Sequence, residues 1–564
     1  MPRPRSPFAV LLALTPVWCA ACGPAGPPAD MVLTGGAIIT LDPELGTVEA
    51  LAVRDGMVVA AGPDEEIAPL VGPNTQAIEL AGRTVVPGLA DNHFHALGGG
   101  PGVDLSGARS LDQVVEAIRL RAEETTPGEL IVTNSNWHEG QLAEQRLPLR
   151  DDLDRATSEH PVVVVRGGHE YILNSFALEG FEIGPDAVSP PGGRVGRYPD
   201  GRLNGELVDN AQDWIEPLPA AEPDTPADPL ARLRGELAVL SSLGVTSIRV
   251  PGGSPELFHL YRSLEEAGEL DLRVDYLFRP RGVGPAAIES VVASWPAGPD
   301  FRTELIRVGG VKLGVDGGFE GGWMREPYEE PWGEGGHYHG LQTTETGPYK
   351  AVVRRLNQLG WRVATHAVGD AAIDLVLEAY EEAHEDSPIT GRRWTIEHGF
   401  IPAPDHFPRI LDLGVTVTAQ NHLYVAAPSL VSYWGADRAA LTTPVGWYVS
   451  EGVPVSLGTD SPVIPYNPFW VLYHFATRGT ISAGVMGAGH AVSRMDALER
   501  MTMGYAYQVF EERERGSLRP GMKADFAVLT GDYLTVPDES IQDLQSELTV
   551  LGGRVTYRFQ DEGR

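Results

Sequence analysis

Residues 87–95 have the sequence Pro-Gly-Leu-Ala-Asp-Asn-His-Phe-His, in which a short apolar run leads into two histidines. In an extended chain the side chains of residues i and i+2 point to the same side, so His93 and His95 can present two imidazoles to one metal ion. A pair this short is a weak signal by itself. His337 and His339 form a second pair, but they lie among glycines with no strand before them, which predicts a loop. The meaning of the first pair therefore depends on the strands that follow it.

The middle of the chain alternates apolar strands with helical patterns, which is typical of an α/β protein with a parallel sheet. We predict eight strands: Val85–Ala90, Val245–Val250, Leu272–Phe278, Val308–Leu313, Arg362–Thr365, Trp394–Ile396, Val415–Thr418 and Val455–Leu457. Helical stretches such as 230–243 and 371–383 intervene. Eight strand–helix units close into a (β/α)8 TIM barrel, whose active site lies at the carboxyl ends of the strands. We assign residues 87–511 to this barrel.

The interval between the first and second predicted strands is far longer than one helix requires. Residues 98–228 must therefore hold an insertion, with strands of its own at Leu130–Thr133 and Val162–Val165. Insertions above the catalytic face of a barrel usually shape access to the site, so we interpret this one as a subdomain that covers the pocket.

Both ends of the chain contain short β-type runs separated by turn residues such as Asp55-Gly56. We predict that residues 31–86 and 512–560 together form one small β-sandwich domain. A chain of 564 residues is too long for one ordinary core, which fits a large domain with a smaller partner.

The first thirty residues are predicted to carry a targeting signal. Arg3 and Arg5 precede a short apolar run, and small residues precede Cys22. We interpret residues 1–21 as a signal peptide and 22–30 as a tether. The segment resembles a bacterial lipoprotein processing site, which implies an exported, extracytoplasmic protein with a lipid anchor at Cys22 on the periplasmic or cell-surface side. Cys19 stands where that pattern usually has Leu or Val, so cleavage by ordinary signal peptidase stays an alternative.

The composition of 42% hydrophobic and 21% charged residues is that of a folded protein. A formal net charge of −34 argues against a nucleic-acid partner, because phosphate binding needs basic surface. Lysine occurs only at positions 312, 350 and 523, and arginine supplies the remaining positive charge. A lysine retained in such a chain suggests a need for an amine that can lose its proton, which arginine does not offer.

Ligand-type residues stand at the ends of several predicted barrel strands. Lys312 ends the fourth strand, His366 follows the fifth, His398 the sixth and Asp460 the eighth. Because the carboxyl ends of barrel strands share one mouth, we expect these side chains to meet His93 there. No Gly-x-Ser-x-Gly motif is present, and both cysteines lie in the first thirty residues, so neither a serine nor a cysteine nucleophile is expected.

This array resembles the amidohydrolase superfamily, and specifically the branch typified by N-substituted formamide deformylases (amidohydrolase family 3). The motifs that carry the resemblance are the Pro-Gly-Leu…His-x-His opening, residues 366–372 (His-Ala-Val-Gly-Asp-Ala-Ala), Glu397-His398, residues 458–462 (Gly-Thr-Asp-Ser-Pro) and residues 516–525 (Gly-Ser-Leu-Arg-Pro-Gly-Met-Lys-Ala-Asp). The resemblance implies a metal-dependent hydrolase that cleaves a non-peptide C–N bond of a small amide, N-formyl or related substrate.

The resemblance also implies the ligands of one or two divalent ions, with zinc expected. His93, His95 and Asp460 would hold one ion, and His366 and His398 a second. Lys312 would bridge them as a carbamate, a role that arginine cannot take. Asp460 would be the general base. An alternative for Lys312 is a buried cation paired with Asp316.

Three further residues are candidates for contact with substrate: His138 and His169 in the insertion, and Asp316 after the fourth strand. Two alternatives to an amide hydrolase stay open. One is a deaminase of the same superfamily, with one ion and an unmodified lysine. The other is a lipid-anchored binding protein without catalysis.

Overall fold

The structure is a computed structural model and describes residues 27–98, 100, 102–218, 228–280 and 282–559. The predicted signal peptide, Cys22 and most of the tether lie outside these residues. Within the described ranges, no helix has both the length and the apolar character needed to cross a membrane.

Eight parallel strands lie side by side in chain order and form a barrel. They are β1 (Leu89–Asp91), β2 (Val245–Gly253), β3 (Arg273–Phe278), β4 (Ile306–Gly314), β5 (Val363–Ala367), β6 (Thr395–His398), β7 (Thr416–Gln420) and β8 (Val455–Gly458). The ring closes between β8 and β1, where the Asn92 N–H donates to the Leu457 carbonyl at 3.2 Å. Just beyond the strands, Phe94 and Ser461 form a parallel bridge. The predicted TIM barrel is confirmed.

The first predicted strand, Val85–Ala90, is wrong in its bounds, because this stretch contains two strands. Thr84–Pro87 belongs to a sheet of the small domain, and β1 begins at Leu89. The chain changes sheets at Gly88. A β-carbon there would collide with the side chain of Thr246 on β2, so this close approach needs glycine.

Helices cover the outside of the barrel and pack on its strands in one large apolar core. The helix Pro229–Ser242 shows how the sequence sets an element's bounds. The Asp228 side chain accepts the Leu230 N–H at 3.0 Å, proline occupies the first position, and Gly244 follows the end with φ 82°. The other outer helices are Pro255–Glu266, Ile288–Ser294, Thr346–Gln358, Asp370–Asp386, His406–Leu413, His422–Ala440, Val445–Ser450, Pro468–Thr477, Arg494–Met501 and Met503–Gln508.

Two further sheets form the small domain; the first contains strands from the N-terminal part of the described chain, and the second combines strands from both ends. The four-stranded sheet has the order Met57–Gly62, Ala50–Arg54, Met31–Thr34, Gln76–Glu79. The six-stranded sheet has the order Arg554–Arg558, Ser546–Leu551, Phe526–Leu529, Thr84–Pro87, Ala37–Ile39, Thr47–Val48. Apolar side chains from both sheets, among them Leu33, Val53, Phe526 and Val550, share one buried core.

The insertion contains a five-stranded sheet with the order Gly193–Arg197, Leu203–Asp209, Glu170–Leu173, Val162–Arg166, Ile131–Val132. The helices Leu111–Glu124, Arg150–Leu153 and Ser175–Gly180 pack around it. Two antiparallel neighbours, Val162–Arg166 and Glu170–Leu173, form a hairpin whose turn lies at the barrel mouth. The insertion therefore contributes directly to the lining of the site.

Candidate metal centre

Six side chains from five strand ends meet at the mouth of the barrel, as their positions in the sequence predict. The Lys312 Nζ lies 3.3 Å from His93 Nε2. The Asp460 Oδ1 lies 3.2 Å from His95 Nε2 and 3.5 Å from His93 Nε2. The His398 ring centroid lies 4.6 Å from those of both His93 and His366. In the tightest group, ligand atoms of His93, His398 and Asp460 all lie within 4.8 Å of one another.

Two of these residues have unusual backbone conformations. His398 and Asp460 have φ of 73° and 60°, in the left-handed region that side chains other than glycine rarely adopt. His398 is the last residue of β6 and Asp460 lies two positions after β8, and both line the mouth of the barrel. Backbone strain of this kind costs of order 1–3 kcal/mol and is concentrated at functional sites.

Glu397 orients His93. Its Oε2 accepts the His93 Nδ1–H at 2.9 Å and the Thr418 hydroxyl at 2.6 Å, while its Oε1 pairs with Arg249 at 2.5 Å. Burial raises the pKa of this fully buried carboxyl, but the positive charges beside it, Arg249 above all, hold the pKa well below its usual range. The histidine therefore keeps its proton on Nδ1 and presents the Nε2 lone pair to the centre.

The other two strand-end histidines are held in the same way. The His398 Nδ1 lies 2.7 Å from Gln420 Oε1, and the His366 Nε2 lies 3.0 Å from the Gly317 carbonyl. Each ring therefore has one nitrogen occupied, and no residue in the described ranges is hydrogen-bonded to the other. Burial lowers the pKa of His93 to about 3 and holds those of His366 and His398 well below the usual value. Neutral, oriented imidazoles beside a carboxylate are a donor set that fits a divalent metal ion.

Lys312 is buried and has no ion pair with Asp316 among the described residues, so the alternative pairing is wrong. The Asp316 oxygens instead accept backbone N–H groups of Trp323 at 3.0 Å and Gly369 at 2.9 Å. Burial lowers the pKa of Lys312 to about 8, which makes a neutral amine accessible near physiological pH. Asp316 lines the cavity above the barrel mouth that is described below, but its carboxylate accepts hydrogen bonds from the backbone of two loops.

Asp460 is held from both sides, and one of its partners was missed in the sequence. Its Oδ2 lies 3.0 Å from Nε2 of His422, a buried residue two positions after β7. Burial raises the pKa of Asp460, but His93 and hydrogen bonds from His422 and His95 hold it well below the usual range. The sequence did not predict a role for His422, because the predicted seventh strand ended at Thr418. The observed strand ends at Gln420, so His422 lies two positions after β7, just as Asp460 lies two positions after β8.

Comparisons with known proteins identify the family of this chain. A family model described as Amidohydrolase family matches residues 76–557. This chain belongs to the amidohydrolase family. N-substituted formamide deformylase of Arthrobacter pascens is 26% identical over 550 residues, covering 94% of this chain and 98% of that enzyme.

Solved structures share the fold. An uncharacterized metal-dependent hydrolase from Pyrococcus horikoshii OT3 has a TM-score of 0.67 and 23% identity, covering 90% of this chain and 99% of the other. A second one, from Pyrococcus furiosus, has a TM-score of 0.63 and 25% identity, covering 90% of this chain and 100% of the other. The amidohydrolase described here is therefore a hydrolase on a TIM barrel.

Two cavities meet at the metal centre of the amidohydrolase. The main cavity has a volume of about 900 Å³ and reaches from His95 and Lys312 to the insertion. The side recess has a volume of about 30 Å³, and its lining includes Phe319 and Phe400, whose ring centroids lie 5.8 Å apart in a stacked arrangement. Asp460 borders both. The bulk of a substrate fits only the main cavity, and the side recess has room for a group of about one or two heavy atoms.

The two insertion histidines differ in their placement. His138 is fully buried, and its Nδ1 accepts the Gly140 N–H at 3.0 Å, so it caps a turn and borders neither cavity. His169 borders both cavities and lies beside His366, with ring centroids 5.2 Å apart. The pair His337 and His339 lies in a loop and borders neither cavity.

Proposed function

We propose that this amidohydrolase hydrolyses a non-peptide C–N bond in a small amide, such as an N-formyl or related substrate. The observation that carries the proposal is the convergence of one carboxylate, one lysine and four histidines at the barrel mouth. The small volume of the side recess favours a substrate with a small acyl group, because a large acyl group would not fit there.

We assign zinc as the metal; His93, His95 and Asp460 would hold one ion, and His366 and His398 would hold a second. A carbamate on Lys312 would bridge the two. When bound, the metal polarises the substrate carbonyl and lowers the pKa of water towards neutrality.

Asp460 acts as the general base in this proposal. One of its oxygens faces His93 and His95, and the other is held by His422, so the carboxylate cannot rotate away from the water that attacks. It accepts a proton from that water and returns it to the departing nitrogen.

A deaminase is the second candidate function. The tightest ligand group holds three residues, His93, His398 and Asp460, which suits a single ion and an unmodified Lys312. Metal analysis together with intact-mass spectrometry separates the two. The hydrolase predicts up to two ions and a carbon dioxide adduct on Lys312, whereas the deaminase predicts one ion and no adduct.

The deciding experiment measures activity after removal of metal and after zinc is restored. The substrates are N-formyl, N-acetyl and cyclic amides together with an aminopurine, and His259→Asn on the outer surface is the control variant. Hydrolysis of amides that depends on zinc supports the proposal. Release of ammonia from the aminopurine alone supports the deaminase. Zinc binding with no turnover of any substrate would contradict both and favour a binding protein.

We also propose that the protein is exported and anchored by a lipid on Cys22. The basic start and the short apolar run of residues 1–21 support this. Cell fractionation of the full chain and of Cys22→Ala tests it. The proposal expects the full chain in the membrane fraction and the variant outside it; equal distribution of the two would contradict it.

A further inference from the structure

Arg279 is the first residue after β3, which ends at Phe278, and the proposed mechanism gives this arginine no role. Side chains that act on the substrate of a (β/α)8 enzyme stand at the carboxyl ends of several strands. Six of the other strands carry side chains of the metal centre at or near their carboxyl ends, namely His93, Lys312, His366, His398, His422 and Asp460. Arg279 therefore lies where a residue that contacts the substrate is expected.

The register of the sheet brings Arg279 level with Lys312. Phe278 on β3 pairs with Val311 on β4, so Arg279 and Lys312 are the next residues along two neighbouring parallel strands. Such strands lie about 4.8 Å apart. Both side chains line the main cavity. The side chain of Arg279 therefore starts beside the metal centre, on the barrel side of that cavity.

A glycine near the end of β2 leaves room for the stem of Arg279. Gly252 is the second-last residue of β2 and has φ 101°. A β-carbon there would lie 3.3 Å from Cδ of Arg279 and 3.6 Å from Cγ of Lys312. The first of these distances is shorter than the optimal contact between two carbon atoms. The stems of both basic side chains thus pass over the same glycine, and this packing holds Arg279 next to Lys312.

The main cavity has opposite charges on its two sides. Among the arginine and lysine side chains of the described ranges, Arg279 and Lys312 are those that line it. The proposed carbamate removes the positive charge of Lys312, which leaves Arg279 to carry the positive charge of the barrel side. Asp213 and Glu216, which belong to the insertion, are exposed and line the same cavity. An anionic group of a substrate therefore has its partner on the barrel side and is repelled from the insertion side.

We infer that Arg279 is a specificity-determining residue that binds an anionic group, such as a carboxylate, on the departing-amine side of the substrate. The inference rests on the proposed amide hydrolysis. A small acyl group fits the side recess, so the amine portion of the substrate occupies the main cavity, which Arg279 lines. A guanidinium binds a carboxylate through two parallel N–H···O bonds, which select for charge and fix the orientation of the bound group. The substrates are accordingly amides whose amine portion carries a negative charge.

The test compares N-formyl-β-alanine with its neutral carboxamide on the zinc-loaded protein, with release of formate as the readout. The native protein should prefer the anionic substrate by about 10-fold to 100-fold in kcat/KM, which is the size of one charge-assisted pair. Arg279 contacts a part of the substrate that does not change in the reaction. Arg279→Met should therefore raise KM for the anionic substrate, leave kcat and zinc content unchanged, and reduce the preference to about one. Arg279→Lys keeps the charge but not the two parallel bonds, and should retain part of the preference.

Arg558→Met is the matched control. It removes the same charge from an exposed position on the last strand of the small domain. It should leave the preference unchanged, which separates a contact in the cavity from the change in net charge.

Calorimetry on the metal-free protein gives a second readout that needs no turnover. N-formyl-β-alanine should bind the native protein at least about 10-fold more tightly than it binds Arg279→Met. The inference is overturned if the native protein cleaves the anionic substrate no better than the neutral one, or if Arg279→Met keeps the full preference; amide hydrolysis then still stands. If no amide of any kind is cleaved, the proposed function fails. The calorimetric comparison then decides the inference, and equal binding by the two proteins overturns it.

Discussion

Replacing Glu397 by glutamine tests whether the buried carboxylate behind His93 sets the affinity for metal. Glutamine preserves the shape and an oxygen that accepts the His93 Nδ1–H, but it removes the negative charge. A hydrogen bond to a charged group contributes about 1.5–3 kcal/mol, which corresponds to a factor of about 10 to 150 in affinity. We therefore expect Glu397→Gln to bind zinc about 10-fold to 100-fold more weakly.

The same substitution should also destabilise the metal-free protein. Arg249 would lose its 2.5 Å ion pair with Glu397 and keep only Asp275, whose Oδ2 lies 3.3 Å from its Nε. Breaking a buried ion pair costs about 3–5 kcal/mol, and we expect this loss in the free energy of unfolding. Zinc affinity is measured by competition with a chelating dye, and stability by urea unfolding after metal removal.

Asp275→Asn is the matched control, because it weakens the other ion pair of Arg249 without touching His93. It should lower the stability of the metal-free protein but leave zinc affinity within about twofold. The reasoning is refuted if Glu397→Gln binds zinc as tightly as the native protein. It is refuted equally if Asp275→Asn loses as much zinc affinity as Glu397→Gln does.

Three further predictions concern the general base Asp460, the pH dependence of stability and the buried Arg166. Asp460→Asn should bind substrate in calorimetry yet lose at least about 100-fold in kcat, and near-native turnover would contradict its role as base. Burial lowers the pKa of His474 from 6.5 to about 3, so its contribution to stability is complete above pH 6.5 and is lost as the pH falls towards 3. At pH 4.5 the metal-free protein should have lost about 2–3 kcal/mol from this residue, and urea unfolding of His474→Gln should show a shallower pH dependence; an unchanged profile would refute this. Arg166→Met leaves Glu139 and Glu320 without their cation and should lower the free energy of unfolding by about 3–5 kcal/mol. A loss under about 1 kcal/mol would show that these buried ion pairs contribute little to stability.

The barrel and the positions of its ligands could be predicted from the sequence because both follow local rules. Apolar runs of strand length separated by helical patterns specify eight units, and a histidine or aspartate directly after a strand must lie at the shared mouth. The split of residues 84–91 between two sheets could not be predicted, because the run is continuous and only the packing of Gly88 against Thr246 divides it.

The sequence by itself determined the (β/α)8 fold, the family and the strand ends that carry His93, His366 and Asp460. Only the tertiary structure decided which nitrogen the rings of His93 and His398 present, because Glu397 and Gln420 contact them from neighbouring strand ends. It alone also brought Asp209 to His169, 40 positions away, by pairing the strands of the insertion. Hydrogen bonds between distant segments depend on sheet register and loop packing, which no local pattern encodes.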